Sequence, residues 1–346
     1  MKKILILGHL GYIGPILINK LKPNYYICGV DTHWFRSKVN SKLSYNRYLP
    51  QKSIIEDIRK FSLSKLNFVP DAIIYLAAIS NDPMGHEYKK ITYEINTKYC
   101  LKIANEAKKM GVKKFIFASS CSIYGSAGKK KKKENHKLQP LTDYAKSKTQ
   151  SEKQLKKISN KNFHIISLRF ATAAGYSPKL RLDLVFNDFV ANSIVNHEIL
   201  ILSNGKPWRP LIHVNDMARA VEWAIEYKSK INFFSINIGS DKWTFRIKDL
   251  AIKIAKILGN VKISLNKNSQ PDKRSYRVDF SLFKLLAKNF QPKEKLDEAV
   301  KALAKNLKIS KLNLNNFRNS KKFIRLKTLN YLQKNKYINK KLYWIK

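Results

Sequence analysis

Tyr144 and Lys148 stand four residues apart in Tyr144-Ala-Lys-Ser-Lys148. On a helix, such a pair shares one face. An ammonium beside a phenol favours the phenolate and lowers its pKa from about 10 toward working pH. Tyr144 is then a candidate general base or acid. In a lysine-rich chain this spacing alone would describe a solvated helix face. Context gives it weight: upstream, at the end of an expected central strand, lies Ser119-Ser120-Cys121-Ser122-Ile123-Tyr124-Gly125. A serine hydroxyl there can bridge a substrate oxygen and the Tyr144 oxygen.

A second cluster opens the chain. Gly8-His-Leu-Gly11-Tyr-Ile-Gly14 follows an apolar run directly. Glycine lets a backbone turn tightly and approach a diphosphate, and the next helix offers free N–H groups to that anion. Asp31 ends the second apolar run. A carboxylate there accepts from the two ribose hydroxyls of adenosine and repels a 2′-phosphate, which favours NAD over NADP. Arg36 is the competing feature, since an arginine nearby accommodates that phosphate.

These residues need a scaffold. Lys3–Leu7, Tyr26–Val30, Ala72–Leu76, Phe115–Ser119 and Phe163–Leu168 read as short buried strands. Ile13–Leu21, Ile91–Met110 and the stretch around Tyr144–Leu155 read as helices, the second ended by Gly111. Alternation of this kind predicts an α/β fold with a doubly wound parallel sheet, its ligand at the carboxyl ends of the strands. After about residue 176 prolines become frequent and loops lengthen. The expected division is a cofactor-binding domain over 1–175 and a smaller α/β substrate-binding region over 176–346. Residues from about 211 to 240 are read as returning to the first domain, and 310–346 as a C-terminal extension. Leu326, Leu329 and Leu332 form an apolar stripe there, either a helix packed on the body or an oligomer contact.

The 346 residues are 44% apolar and 27% charged, a globular composition. No stretch approaches the roughly 18–20 apolar residues that cross a bilayer. Met1-Lys2-Lys3 and Ile4–Leu7 mimic a signal peptide, but Gly8 and His9 end the apolar run, so none is expected. Cys28, Cys100 and Cys121 form no CxxC pair, which argues against a disulfide framework or cysteine zinc site and for the cytoplasm. The net charge of +44 first suggests nucleic acid. The surplus is dispersed lysine, including the run Lys129–Lys133, so a solvated surface without specific nucleic-acid recognition is expected.

Taken together, the chain resembles an extended short-chain dehydrogenase/reductase of the nucleotide-sugar epimerase/dehydratase family. The resemblance is carried by the glycine motif, Asp31, Asp57-Ile58, Leu76-Ala77-Ala78, Asn96, Ser119–Gly125, Tyr144-x-x-x-Lys148 and Gly205-Lys-Pro-Trp-Arg-Pro-Leu-Ile-His-Val-Asn-Asp216, in family order over roughly 1–290. It implies Ser120, Tyr144 and Lys148 as catalytic triad. It implies Gly8, Gly11, Tyr12, Ile13, Gly14 and Asp31 on the diphosphate and ribose of NAD, and Asp57 and Ile58 at the adenine. Leu76, Ala77, Ala78 and Asn96 would wall the nicotinamide half. Ser80, Thr172, Asn187 and Arg209 would meet a nucleotide-diphosphate sugar, with Arg274 or Arg277 as a second cation.

Where dehydratases of the family carry adjacent Asp and Glu, this chain has Cys121 and Ser122, so elimination of water is disfavoured. Cys121 is either a small buried residue or an acid/base thiol for epimerisation at carbon 3 or 5. The resemblance implies an NAD-dependent epimerase, with a 4-ketoreductase as the alternative and a homodimer as the expected assembly.

Overall fold

The computed structural model describes residues 1–35, 45–126, 128, 130–266, 274–309 and 314–345. Arg36 and Lys129 lie outside the described residues.

In chain order the first part runs β1 (Lys2–Leu7), α1 (Gly14–Leu21), β2 (Tyr25–Asp31), β3 (Lys52–Ile55), β4 (Ala72–Tyr75), α2 (Asp82–Glu87), α3 (Lys89–Tyr93), α4 (Tyr99–Met110), β5 (Lys114–Ser120), α5 (Asp143–Ile158) and β6 (His164–Phe170). It continues with β7 (Thr172–Ala174), α6 (Val185–Asn196), β8 (Glu198–Ile201), β9 (Trp208–His213), α7 (Val214–Glu226), β10 (Phe233–Ile238), β11 (Thr244–Arg246), α8 (Ile247–Leu258), β12 (Lys262–Leu265), α9 (Ser281–Leu286), α10 (Leu296–Ile309) and α11 (Arg325–Lys334).

Seven strands form one sheet in the order β10-β6-β5-β4-β1-β2-β3, and every pairing in it is parallel. A parallel sheet is covered on both faces, so its inner strands are apolar throughout. Ile4–Leu7 of β1 and Ala72–Tyr75 of β4 are accordingly buried. One core packs α1, α7 and α9 on one face, and another packs α4 on the opposite face. Strand order reverses between β1 and β4, where the ends of neighbouring strands diverge and leave a crevice. The short edge strand β3 was not legible in the sequence: Lys-Ser-Ile-Ile alternates in burial and lacks an apolar run.

A third core lies among α6, α8 and α10. Beside it are the three-stranded sheet β11-β9-β7 and the pair β12-β8. α7 and β10 return to the large sheet, where β10 pairs with β6.

The expected straight helix from Ile91 to Met110 is interrupted. Glu94–Lys98 form a π-turn between α3 and α4. Such wider turns recur at functional sites because they free a carbonyl and re-aim a side chain. Here the Asn96 carbonyl accepts from Ser151 Oγ at 2.8 Å. Its side chain brackets the strand-to-helix loop, accepting from Ile79 N at 2.9 Å and donating to Ile79 O at 3.1 Å.

The Leu326–Leu332 stripe packs on the body: Leu329 is fully buried in the core that covers α4, with Leu326 and Leu332 against it. Among the described residues, no helix is long and apolar enough to cross a membrane.

Candidate active site

A cavity of about 720 Å³ opens at the carboxyl ends of the strands. Its floor at the β1 end is the glycine turn. Gly8 sits at φ +91°, and a Cβ there would come within 2.6 Å of Ala77 N. Only glycine adopts this backbone cheaply. Gly11, Tyr12 and Ile13 face the cavity. Gly14 does not line it; a Cβ at Gly14 would lie 2.0 Å from His9 O, so this glycine serves the close packing of α1 on its own turn.

Asp31 lines the cavity at the end of β2. Its Oδ2 accepts from Leu10 N at 3.0 Å and its Oδ1 from His33 N at 2.7 Å. These bonds aim the carboxylate and tie the loops after β1 and β2 together. Ile58, Leu76, Ala77 and Ala78 complete this wall. The bare cradle at Gly8–Gly11 and an aimed carboxylate beyond it fit a dinucleotide's diphosphate and ribose.

Asp57 is turned away from the cavity by Arg59, which grips both carboxylate oxygens at 2.9 and 2.7 Å. Asp57 stands outside the lining in a buried ion pair, next to Ile58, which lines the cavity. Asn96 is likewise fully buried and outside the lining, holding the loop that carries Ala77 and Ala78.

At the centre, β5 ends on Ser120 and α5 begins at Asp143. Thr142 caps α5 by accepting from Ala145 N at 3.2 Å, which satisfies one of the free donors of the first turn. The helix projects Tyr144 and Lys148 toward Ser120. Tyr144 and Ser120 both line the cavity, and Ser120 is near enough to the phenol to favour its phenolate. Lys148 is 1% exposed. Its Nζ donates to Ala118 O at 2.7 Å and lies 5.8 Å from the Tyr144 ring centroid.

Burial lowers the Lys148 pKa to about 8. Burial also pushes the Tyr144 phenol up, the Asp82 carboxylate adding to this, while Ser120 and Arg181 oppose it. Direct lowering of the Tyr144 pKa by Lys148 was expected from the spacing and is not found. The ammonium sits under the ring and on a strand carbonyl, and desolvation dominates at the oxygen.

On the other side of the cavity, Ser80, Thr172, Arg209 and Arg274 line the wall. Arg274 pairs with Asp82, which also accepts from Thr142 Oγ1. Two of the expected substrate residues lie outside the lining. Asn187 is fully buried, donating to Arg181 O and Gly175 O and accepting from Gly175 N. Arg277 lies outside the lining and stacks on Trp208, Cζ 4.8 Å from the ring centroid.

For Cys121 the burial supports the first of the two readings, a small buried residue. It is fully buried in the core on the α1 side of the sheet, with Sγ donating to Arg169 O at 3.1 Å. Burial pushes its thiol up, out of acid/base range. Ser119, Ser120 and Ser122 line the cavity and Cys121 does not. Cys121→Ala is expected to retain turnover and to cost about 1 kcal/mol of stability; a loss of turnover without unfolding would restore the thiol as a reacting group.

Sequence reasoning missed Asp82, Arg181 and Asp183, which line the cavity. Arg181 donates to both oxygens of Asp183 at 2.9 and 2.8 Å and to Ser80 Oγ at 3.2 Å. The only local signal was Arg181-Leu-Asp183, opposite charges two apart.

Beneath the site runs a buried polar network. Glu152 on α5 accepts from Ser167 Oγ at 2.8 Å and from Arg169 Nη2 at 2.7 Å. Arg169 Nη1 donates to Tyr124 at 3.0 Å and Glu134 O at 2.8 Å. The network locks α5 to β6.

A parallel sheet with a glycine-turn cradle at its switch point, and a serine–tyrosine–lysine group at the next strand end, defines a dinucleotide-dependent enzyme of the short-chain dehydrogenase/reductase class. The model of the NAD dependent epimerase/dehydratase family matches residues 4–239, and the chain belongs to that family. A putative UDP-glucose 4-epimerase of Methanocaldococcus jannaschii is 28% identical over 251 residues, 70% of this chain and 78% of that one. UDP-glucuronic acid decarboxylase 3 of Arabidopsis thaliana is 25% identical over 321 residues, 89% of each. A solved UDP-glucuronic acid 4-epimerase of Bacillus cereus, in complex with UDP-glucuronic acid and NAD, has a TM-score of 0.75 at 25% identity and covers 89% of this chain and 99% of that one. The chain is thus an NAD-dependent enzyme of the epimerase class.

Proposed function

We propose that this enzyme inverts carbon 4 of a UDP-hexose. The observation that carries the reading is the Tyr144–Ser120 hydroxyl pair in one cavity with the glycine cradle and Asp31. Relatives named as 4-epimerases support the carbon and the nucleotide.

Bound NAD supplies the acceptor and donor of hydride. Tyr144 takes the proton from the sugar hydroxyl at its phenol oxygen and gives it back to the same oxygen. Ser120 holds that oxygen in line. Lys148 fixes α5 against the end of β5 and presents positive charge below the tyrosine. Arg209 and Arg274 meet the substrate's diphosphate as forks of donors, and Ser80 and Thr172 meet the sugar. Ser122, in place of a carboxylic acid, leaves elimination of water without its proton donor.

Asp31 selects NAD over NADP. Residues 1–175 hold the cofactor and 176–346 the substrate, with 211–240 returning to the first part. For compartment and assembly the reading is a cytoplasmic homodimer, supported for the compartment by three buried free thiols and checked for the assembly by sedimentation.

The test is to assay NAD carried by the purified protein, then follow UDP-glucose, UDP-N-acetylglucosamine and UDP-glucuronic acid by NMR, with GDP-, dTDP- and CDP-sugars alongside. The expected result is one UDP-sugar converted to its 4-epimer without net NADH. Net NADH formation, or conversion of a non-uridine sugar only, would overturn it.

A further inference from the structure

Arg325 opens α11, in the C-terminal stretch beyond the family-matched residues. Its side chain is 4% exposed and lines the large cavity. The guanidinium lies over the Phe35 ring, Cζ 3.9 Å from the centroid. Nη2 donates to Lys179 O at 3.2 Å. Among the described residues it makes no ion pair. The Asp183 carboxylate is taken by Arg181, and Asp31 by the Leu10 and His33 amides. Burial lowers the Arg325 pKa to about 9, Arg181 adding to this and Asp183 and Asp31 opposing it.

Both of its contacts belong to the surroundings of the glycine turn. Phe35 lies in the loop after Asp31, and Trp34 Nε1 and Trp344 Nε1 pin that loop to the C-terminal tail, donating to Leu342 O at 3.1 Å and Thr32 O at 2.6 Å. Lys179 follows Ser177, whose Oγ donates to Tyr12 O at 2.7 Å in the glycine turn. Lys179 Nζ donates to Phe35 O at 2.9 Å, and its charge reaches His9. The guanidinium is thus held at the cavity wall between the loop after β2 and the segment joining β7 to α6, which is itself tied to Tyr12 of the glycine turn through Ser177.

A buried cation without a carboxylate is costly unless an anion completes it. Its flat fork of donors matches phosphate oxygens. We propose that Arg325, delivered by the C-terminal segment, is a phosphate-binding residue of the cofactor site and supplies a cation to the dinucleotide's diphosphate. The proposal rests on the assignment of the Gly8–Gly14 turn and Asp31 to the dinucleotide.

The test titrates NADH, ADP-ribose and UDP into NAD-stripped parent protein, Arg325→Met, Arg325→Lys and Asp31→Ala, reading fluorescence and melting temperature. Arg325→Met is expected to weaken NADH and ADP-ribose by about tenfold to a hundredfold and to leave UDP unchanged. Arg325→Lys recovers part of the loss. The stripped Arg325→Met protein melts no lower than the parent, because an uncompensated buried charge has gone. Unchanged NADH affinity in Arg325→Met, with a loss in Asp31→Ala, overturns the role of Arg325 while the cofactor site stands. Weakened UDP with unchanged NADH overturns it by placing Arg325 on the substrate's diphosphate. A stripped Arg325→Met protein that melts well below the parent makes the residue structural and overturns it too. Unchanged NADH in Asp31→Ala removes the cofactor assignment and the proposal with it.

Discussion

Tyr144→Phe is expected to lower turnover by about 10²–10⁴ while NAD remains bound. Phenylalanine keeps the ring, which sits under the cavity beside Gly85, where a Cβ would meet the Tyr144 backbone at 3.1 Å. Only the phenol oxygen, whose phenolate Ser120 favours, is lost. Burial raises the pKa of that phenol while Ser120 and Arg181 oppose the rise, and removing the oxygen removes the group that takes and returns the proton. Lys148→Met is expected to weaken both turnover and NAD binding. The ammonium, with its pKa near 8, is charged below that pH and neutral above it. Both quantities should therefore fall in the parent as pH rises through about 8, and this alkaline limb should be absent in Lys148→Met. Full turnover by Tyr144→Phe would sink the acid/base role, and a limb unchanged in Lys148→Met would sink the assignment of the cation.

The second large effect is on stability. Glu152→Ala is expected to cost about 3–5 kcal/mol, the range for breaking a buried pair and leaving its partner charged. Glu152 and the facing Arg169 are 5% and 6% exposed at their side chains. Removing the carboxylate strands the guanidinium in the core and leaves Ser167 Oγ without its acceptor. Glu152→Gln keeps an oxygen and should cost less. It should also move the alkaline limb of activity to lower pH, since Glu152 is one of the charges that raise the Lys148 pKa. Chemical denaturation of both variants checks the order. A cost of Glu152→Ala below about 1 kcal/mol would mean that the pair is solvated.

Much of the fold was legible because the deciding forces were local. A continuous apolar run ended by glycine fixes β1 and the turn after it. The i, i+4 spacing and the Thr142 cap fix which face of α5 carries Tyr144 and Lys148. The π-turn at Glu94–Lys98 was invisible because its cause is not in its own residues: Ser151 of α5 competes for the Asn96 carbonyl.

The sequence by itself therefore determined the class of fold and pointed to the glycine cradle, Asp31 and the Tyr144–Lys148 face of α5, each a short-range pattern. Tertiary structure decided the rest. Cys121 and its neighbours Ser120 and Ser122 are alike in size, and only the single 3-10 turn after β5 sends the thiol to the Arg169 carbonyl and leaves the serines on the cavity. Asp57 and Arg59 are two residues apart in sequence, but their pairing became a buried one through Tyr343, whose ring lies 3.8 Å from the Arg59 Cζ. The shift in the tyrosine's proton affinity comes from desolvation, then from Asp82 at the start of α2, Ser120 at the end of β5 and Arg181 in the segment before α6. Arg325 reaches the cofactor side from the far end of the chain. Charge and burial act through space, and a sequence records them only where the chain happens to be local.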